Sequence, residues 1–170
     1  MTRLFAALLA LSLTACQGAL PAPTIAPDGA WDPRNPFALI QAGQAPAAIV
    51  YQDQELLVIM DHAPVTPGHV LVLSKTAQAR DLIDVPPATL ARMMAMVRRL
   101  LAAQRDGLGA TGGTVMINNG SMQSVHSLHI HVVPSYDGKP IDWSTRVSIH
   151  PMSELEPEAA KLRAALNAQH

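Results

Sequence analysis

Cysteine is almost missing from this chain: one in 170 residues, so no disulfide can form within it and a disulfide-stapled scaffold is excluded. Aromatic residues make up only 4%, too few for the stacking platforms that read single-stranded nucleic acid. Neither sign of charge dominates, with 12 Lys and Arg against 13 Asp and Glu and a formal net charge of -1. Without a broad basic surface, nucleic acid is not an expected partner. A transmembrane run is lacking too. The apolar segment Leu4 to Leu13 holds ten residues, about half of the 20 that a spanning helix needs. What the chain does have is 49% hydrophobic residues and a length that suits one domain with tails. Disorder throughout is thereby excluded.

Met1 to Cys16 reads MTRLFAALLALSLTAC. Arg3 supplies a positive start, Leu4 to Leu13 an apolar centre, and small residues precede Cys16, the layout of a secretory signal. Leu13-Thr14-Ala15-Cys16 resembles the bacterial lipobox, in which the cysteine thiol is diacylglycerated and the preceding peptide removed. The resemblance implies a lipoprotein signal peptide over residues 1–15, lipidation of Cys16 and a membrane attachment through that lipid. By resemblance to enterobacterial lipoprotein sorting rules, Gln17 after the cysteine, in place of Asp, implies the outer membrane of a bacterial cell envelope, at its periplasmic face. The alternative is an ordinary signal peptide with an incidental Cys16. Residues 16–36 then form a tether: five prolines fall within 17–36, with no helical or strand period, which favours semi-rigid polyproline II.

The remaining residues, 37–170, read as one α+β domain. Phe37 to Ala42 suggests a short helix stopped by Gly43. Ala48–Tyr51 and Leu56–Asp61 flank a polar turn and predict a hairpin, and His69–Leu73 a third strand. Pro86-Pro87 opens a long helix whose apolar positions, Leu90, Met93, Met94, Val97, Leu100 and Leu101, keep a helical period. Gly107–Gly113 reads as a turn, Thr114–Asn118 and Leu128–Val133 as strands, and Pro157–Ala168 as a C-terminal helix. Strands grouped three and two around a helix predict a mostly antiparallel sheet of about five strands.

The chemistry concentrates in NNGSMQSVHSLHIHVVPSY. His129 and His131 are two apart, so on a strand they share one face, while Leu128, Ile130 and Val132 share the other. His126 is an odd number of residues away and faces oppositely if the strand extends that far. Paired imidazoles suit a metal site, in which neutral nitrogens are ligands. They equally suit nucleophilic catalysis, in which one imidazole attacks and the other steers charge. Coincidental spacing is the third reading.

This stretch resembles the histidine-triad (HIT) family of nucleotide hydrolases and transferases, and in particular its Hint-like branch. The resemblance is carried by Asn118-Asn119-Gly120, Gln123-Ser124-Val125 and His129-Ile130-His131-Val132-Val133-Pro134 in order. Upstream it is carried by Ile49-Val50-Tyr51, Met60-Asp61, Pro64, Pro67-Gly68-His69 and Asp84-Val85-Pro86-Pro87. It implies that His129 attacks the α-phosphorus of a nucleoside phosphoramidate or dinucleotide and carries the nucleotidyl group before water releases it. By the same resemblance, a main-chain carbonyl at the first triad position fixes the His129 tautomer. His131 contacts the phosphate and leaving group, and Ser124, with Gln123 and Val125 around it, binds phosphate oxygens. Asn118 and His69 are further site residues, and Asp61 accepts the ribose hydroxyls. Phe37, Ile40, Ile59 and Leu71 form the base slot or, on a plainer reading, simply core. His62 either lines the nucleotide edge or is an exposed loop residue. The implied partners are a nucleotide and a second copy of the chain in a homodimer; no cofactor and no metal is called for.

Two departures stand out. The first triad position is Ser127, and Met122 stands in a short loop where glycine is usual. They motivate a second reading, a non-catalytic nucleotide-binding module. A third reading is a zinc-binding lipoprotein using His129, His131 and His69. His150 and His170 have no motif context and are expected on the surface.

Overall fold

The computed structural model describes residues 31–144 and 148–169. The signal peptide, Cys16, the tether up to residue 30 and His170 lie outside the described residues. Within them the chain runs α1 (Pro36–Gln41), β1 (Ile49–Gln52), β2 (Leu56–Met60), β3 (Val70–Ser74), α2 (Pro87–Leu108), β4 (Gly112–Met116), a 3-10 turn at Gly120–Met122, β5 (His129–Ser135) and α3 (Met152–Asn167). Every strand pairing is antiparallel and the spatial order is β1-β2-β3-β5-β4, so the α+β fold with a five-stranded antiparallel sheet is as expected.

Alternation along the strands gives the sheet two different faces. Val58, Met60, Val70, Val72, Ile130 and Val132 point into the main core against Met93, Val97 and Leu100 of α2 and Leu155 and Leu162 of α3. Leu57, Ile59, Leu71 and Leu73 point the other way and are covered by Phe37 of α1. Both faces of β2 are thus buried, which is why Leu56–Met60 reads as an unbroken apolar run.

The long helix meets the core through Met93, Met96, Val97, Leu100, Ala103 and Gln104. Met94 and Leu101, expected on the apolar face, are exposed instead. α3 packs beside α2 and rotates the buried stripe away from them. Gly107 marks the close approach of the two helices, since a Cβ there would lie 3.0 Å from the Ala165 Cβ. β4 starts at Gly112, inside the stretch read as a turn: Gly112 and Gly113 pair with Ser135 and Pro134. α3 starts five residues before its expected Pro157. The carbonyl that this proline leaves unpaired belongs to Ser153, which is exposed, so the helix tolerates it.

The β1–β2 turn is built on Asp53. Its Oδ1 accepts the Glu55 and Leu56 amides at 2.8 and 2.7 Å, and its Oδ2 accepts the Tyr51 hydroxyl at 2.8 Å and Arg92 Nη2 at 2.7 Å. Burial opposes ionisation, but the donors of Leu56, Tyr51, Glu55 and Arg92 outweigh it and hold the carboxyl at about 2. Because the folded value lies below the ordinary 3.8, this stabilisation is complete above that pH and is lost as pH falls towards about 2. Asp53→Asn is expected to cost about 1–2 kcal/mol at neutral pH. Urea melts across the acid range should show a shallower loss of stability in the variant between those two values.

Candidate functional site

The site grows from the middle of the sheet. On β5, Ile130 and Val132 are fully buried in the main core, so His129 and His131 are committed to the opposite face. There His129 lies across from Leu73, and His131 lies between Leu71 of β3 and Met116 of β4. α1 closes one side. Asn35 caps it by accepting the Ala38 amide at 3.0 Å, Pro36 presets its first turn, and Phe37 is pressed onto the sheet. The Phe37 ring meets the His129 ring edge-on at 4.9 Å between centroids. The result is a cleft of about 670 Å³ with Phe37, Ile40, Ile59 and Leu71 as apolar walls and Asp61, Ser124, His129 and His131 as polar lining.

His129 Nδ1 lies 2.7 Å from the Ser127 carbonyl oxygen. A carbonyl only accepts, so Nδ1 carries the proton and Nε2 keeps a lone pair. The side chain at position 127 plays no part in that bond. His131 is set by a second network. The Val65 amide faces His69 Nδ1 at 3.4 Å, which puts the His69 proton on Nε2, 2.9 Å from His131 Nδ1. His131 therefore bears its proton on Nε2, a buried atom with no partner among the described residues. Asp61 is steadied by the Ala63 amide on Oδ1 at 2.9 Å and turns Oδ2 towards His69 Nε2 (3.5 Å) and His131 Nδ1 (3.8 Å).

Burial lowers the pKa of all three imidazoles. His131 is pushed down to about 3 by burial and by the neighbouring His129 and His69, against the pull of Asp61. Burial also holds His129 below the usual histidine range, although the Ser127 carbonyl and Asp61 act the other way. His69 is lowered by burial and by His129, with Asp61 opposing. Neutral imidazoles in fixed tautomers, one with an available lone pair and one with an N–H to donate, can combine nucleophilic attack with a hydrogen bond to developing negative charge.

Ten residues singled out in the sequence line one cleft: Phe37, Ile40, Ile59, Asp61, His62, Leu71, Ser124, Val125, His129 and His131. Three do not. His69 is buried behind His131 and acts through it. Gln123 is buried and donates to the Arg80 carbonyl at 2.7 Å, pinning the loop that carries Ser124. Asn118 is half-buried outside the cleft, and its neighbour Asn119 holds the Leu82 amide at 2.8 Å. His126 precedes the strand, which begins only at His129. Of the metal reading's three histidines, His69 and His131 share a possible ion position with Asp61, and His129 is not among the three.

His150 is at the surface, as expected, and also reaches the site. It lines the cleft, its amide donates to the His62 carbonyl at 2.8 Å, and its Nδ1 pairs with Glu154 at 2.9 Å. Ile149, Met152 and Arg34 join it at the mouth. Nothing in the spacing of the triad signals these residues, because they come from segments on either side of the motif-bearing stretch.

The HIT domain family model matches residues 42–138. An uncharacterised HIT-like protein of Mycobacterium tuberculosis is 36% identical over 135 residues, covering 78% of this chain and 93% of the relative. An adenylylsulfatase of Arabidopsis thaliana is 28% identical over 128 residues, covering 74% and 64%. Among solved structures, a HIT-like protein of Bartonella henselae superposes with a TM-score of 0.73 at 35% identity, covering 80% of this chain and 98% of that one. A zinc-bound histidine triad family protein of Mycobacterium smegmatis gives 0.69 at 40%, covering 78% and 92%. With a matched domain that contains both the paired histidines and the floor of their cleft, this chain belongs to the HIT family.

Proposed function

We propose that this protein is a nucleotide hydrolase or nucleotidyl transferase that works through a covalent nucleotidyl group on His129 Nε2. The 2.7 Å bond from His129 Nδ1 to the Ser127 carbonyl carries the reading, because it leaves a neutral nucleophilic nitrogen on a ring that lines the cleft. Nε2 attacks the α-phosphorus of a nucleoside phosphoramidate or related nucleotidyl compound. The bond to the leaving group breaks while His131 Nε2–H donates a hydrogen bond to the departing atom, which takes its proton from water. Water then cleaves the phosphorus–nitrogen bond to His129 and releases a proton to solvent. The apolar walls suit a base, Asp61 suits ribose hydroxyls, and Ser124 suits phosphate oxygens. The adenylylsulfatase relative favours adenylyl compounds as the first class to try. Loss of the triad's first imidazole is compatible with this chemistry, since the backbone of Ser127 performs the orienting step.

Incubation with adenosine phosphoramidates, adenylyl sulfate and dinucleoside polyphosphates should leave a nucleotidyl adduct on His129, detected by mass spectrometry. His129→Ala should lose adduct and turnover by roughly 10³-fold or more, while Ser127→Ala keeps near-wild-type turnover. Nucleotide binding without adduct or product in the wild type would replace this reading with that of a binding module.

The same proposal extends to assembly and address. β4 is an open edge strand, and Val115 on it, with Met94 and Leu101 on α2, is exposed. Leu101 lies against β4, since a Cβ on Gly113 would be 3.4 Å from Leu101 Cδ2. This continuous apolar surface supports a homodimer with joined sheets and adjoining long helices. Leu101→Asp should reduce the mass in light scattering from two chains to one. No helix among the described residues is long and apolar enough to cross a membrane. The lipobox-like sequence ending at Cys16 supports attachment by lipid at the periplasmic face of the outer membrane. Cys16→Ser should abolish incorporation of a fatty-acid label and move the protein out of the membrane fraction.

A further inference from the structure

Asp61 Oδ2, His69 Nε2 and His131 Nδ1 form a triangle with sides of 3.5, 3.8 and 2.9 Å. The point equidistant from all three lies about 2.0 Å from each atom, as those sides require. Zinc binds imidazole nitrogen at about 2.0–2.1 Å and carboxylate oxygen at about 2.0–2.2 Å. One ligand atom from each residue thus lies within reach of a single ion. We propose that Asp61, His69 and His131 form a zinc site at the edge of the cleft, separate from His129 Nε2. The assignment does not rest on the nucleotidyl chemistry of His129.

The surroundings suit a bound ion. Asp61 presents Oδ2 because its Oδ1 is held by the Ala63 amide at 2.9 Å, an outer hydrogen bond of the kind that orients metal ligands. His69 is 2% exposed and locked against His131. Asp61 and His131 line the cleft, which gives the ion a path in. His131 already has its lone pair on Nδ1. In His69 the proton moves from Nε2 to Nδ1, giving up the 2.9 Å hydrogen bond to His131 Nδ1 and the 3.4 Å contact with the Val65 amide, both of which the two new metal–nitrogen bonds replace. Two imidazoles and one carboxylate leave a coordination position for solvent, the ligand count of an open zinc site.

Occupation has a defined consequence. With Nδ1 on zinc, His131 still carries its proton on Nε2, so the ion and the His69 hydrogen bond set the same tautomer. Asp61, by contrast, gives its free oxygen to the metal. Zinc therefore leaves the histidine pair competent and falls on the carboxylate that otherwise faces the cleft.

The test takes the full-length protein, stripped with a chelator and titrated with zinc chloride by calorimetry, with magnesium chloride as a control and cobalt(II) chloride as a spectroscopic probe. One zinc per chain is expected, no magnesium binding, and the visible bands of four-coordinate cobalt. Asp61→Ala and His69→Ala should weaken zinc by about 100-fold. His129→Ala should keep wild-type zinc stoichiometry while losing nucleotidyl transfer, so failure of the zinc site and failure of the proposed catalysis are read separately. His62→Ala should also keep it, which excludes loose capture by exposed histidine. Should an alanine variant fail to fold, Asp61→Asn, which retains an acceptor for the Ala63 amide, takes its place. Absence of stoichiometric zinc in the wild type, absence of the cobalt bands, or unchanged zinc affinity in a folded Asp61 variant overturns the site.

Discussion

The period of two along β5 is the constraint on which the other features depend. Ile130 and Val132 have no exposed surface, and each lies in the core shared with α2 and α3. β5 is also an inner strand, paired to β3 along one edge and to β4 along the other. A slip of one residue would drive both histidines into an apolar core and bring two branched side chains to the cleft. Hydrophobic burial on one side of the strand thus fixes the imidazoles on the other. The imidazole geometry is inherited from packing on the opposite face of the sheet.

Placing imidazoles under a sheet and an aromatic ring also decides their charge. Water is excluded around His129 by Phe37 and the apolar floor, and this desolvation outweighs the attraction of Asp61. A charged imidazole there would be a poor nucleophile and a costly buried ion. Neutrality alone does not select a tautomer, however. One carbonyl and one amide do that: Ser127 oxygen for His129 and the Val65 amide, relayed through His69, for His131. Both are main-chain groups, which explains how the first triad position can change its side chain while the orienting contact persists.

Much of this was legible in the sequence, for physical reasons that can be named. The floor and walls follow from alternation: Ile59, Leu71, His129 and His131 are all odd-numbered positions on paired strands in register, so they face one way. The β1–β2 hairpin follows from a polar turn between apolar runs. The long helix was visible from its period, but its buried stripe was not placed correctly, because Met94 and Leu101 are excluded from the core by the neighbouring α3 rather than by anything within α2. β4 was shortened in the reading because glycine signals a turn. Here Gly113 serves close contact instead, since a Cβ would sit 3.0 Å from the Val133 carbonyl oxygen. The motif places the Gln123 backbone beside Ser124, but nothing in it signals that the buried side-chain amide is a strut to Arg80.

His150 shows the other limit of sequence reasoning. The matched domain ends at residue 138, yet the cleft mouth is completed by Ile149, His150 and Met152 from beyond it and by Arg34 from before it. No short-range period connects these positions to the triad. Ile149, His150 and Met152 are brought there at the start of α3, which lies across α2 and the β1 end of the sheet, with Arg163 donating to the Ile49 carbonyl at 2.6 Å and Glu158 accepting the Gly68 amide at 2.7 Å. Glu158 thereby holds the same β2–β3 loop that presents Asp61, Val65 and His69. The helix outside the family's core does two things at once: it braces the loop that sets the imidazole tautomers, and it carries its own N-terminal segment to the cleft. Substitutions at that mouth can therefore reshape the cleft entrance without disturbing the strand that holds the imidazoles.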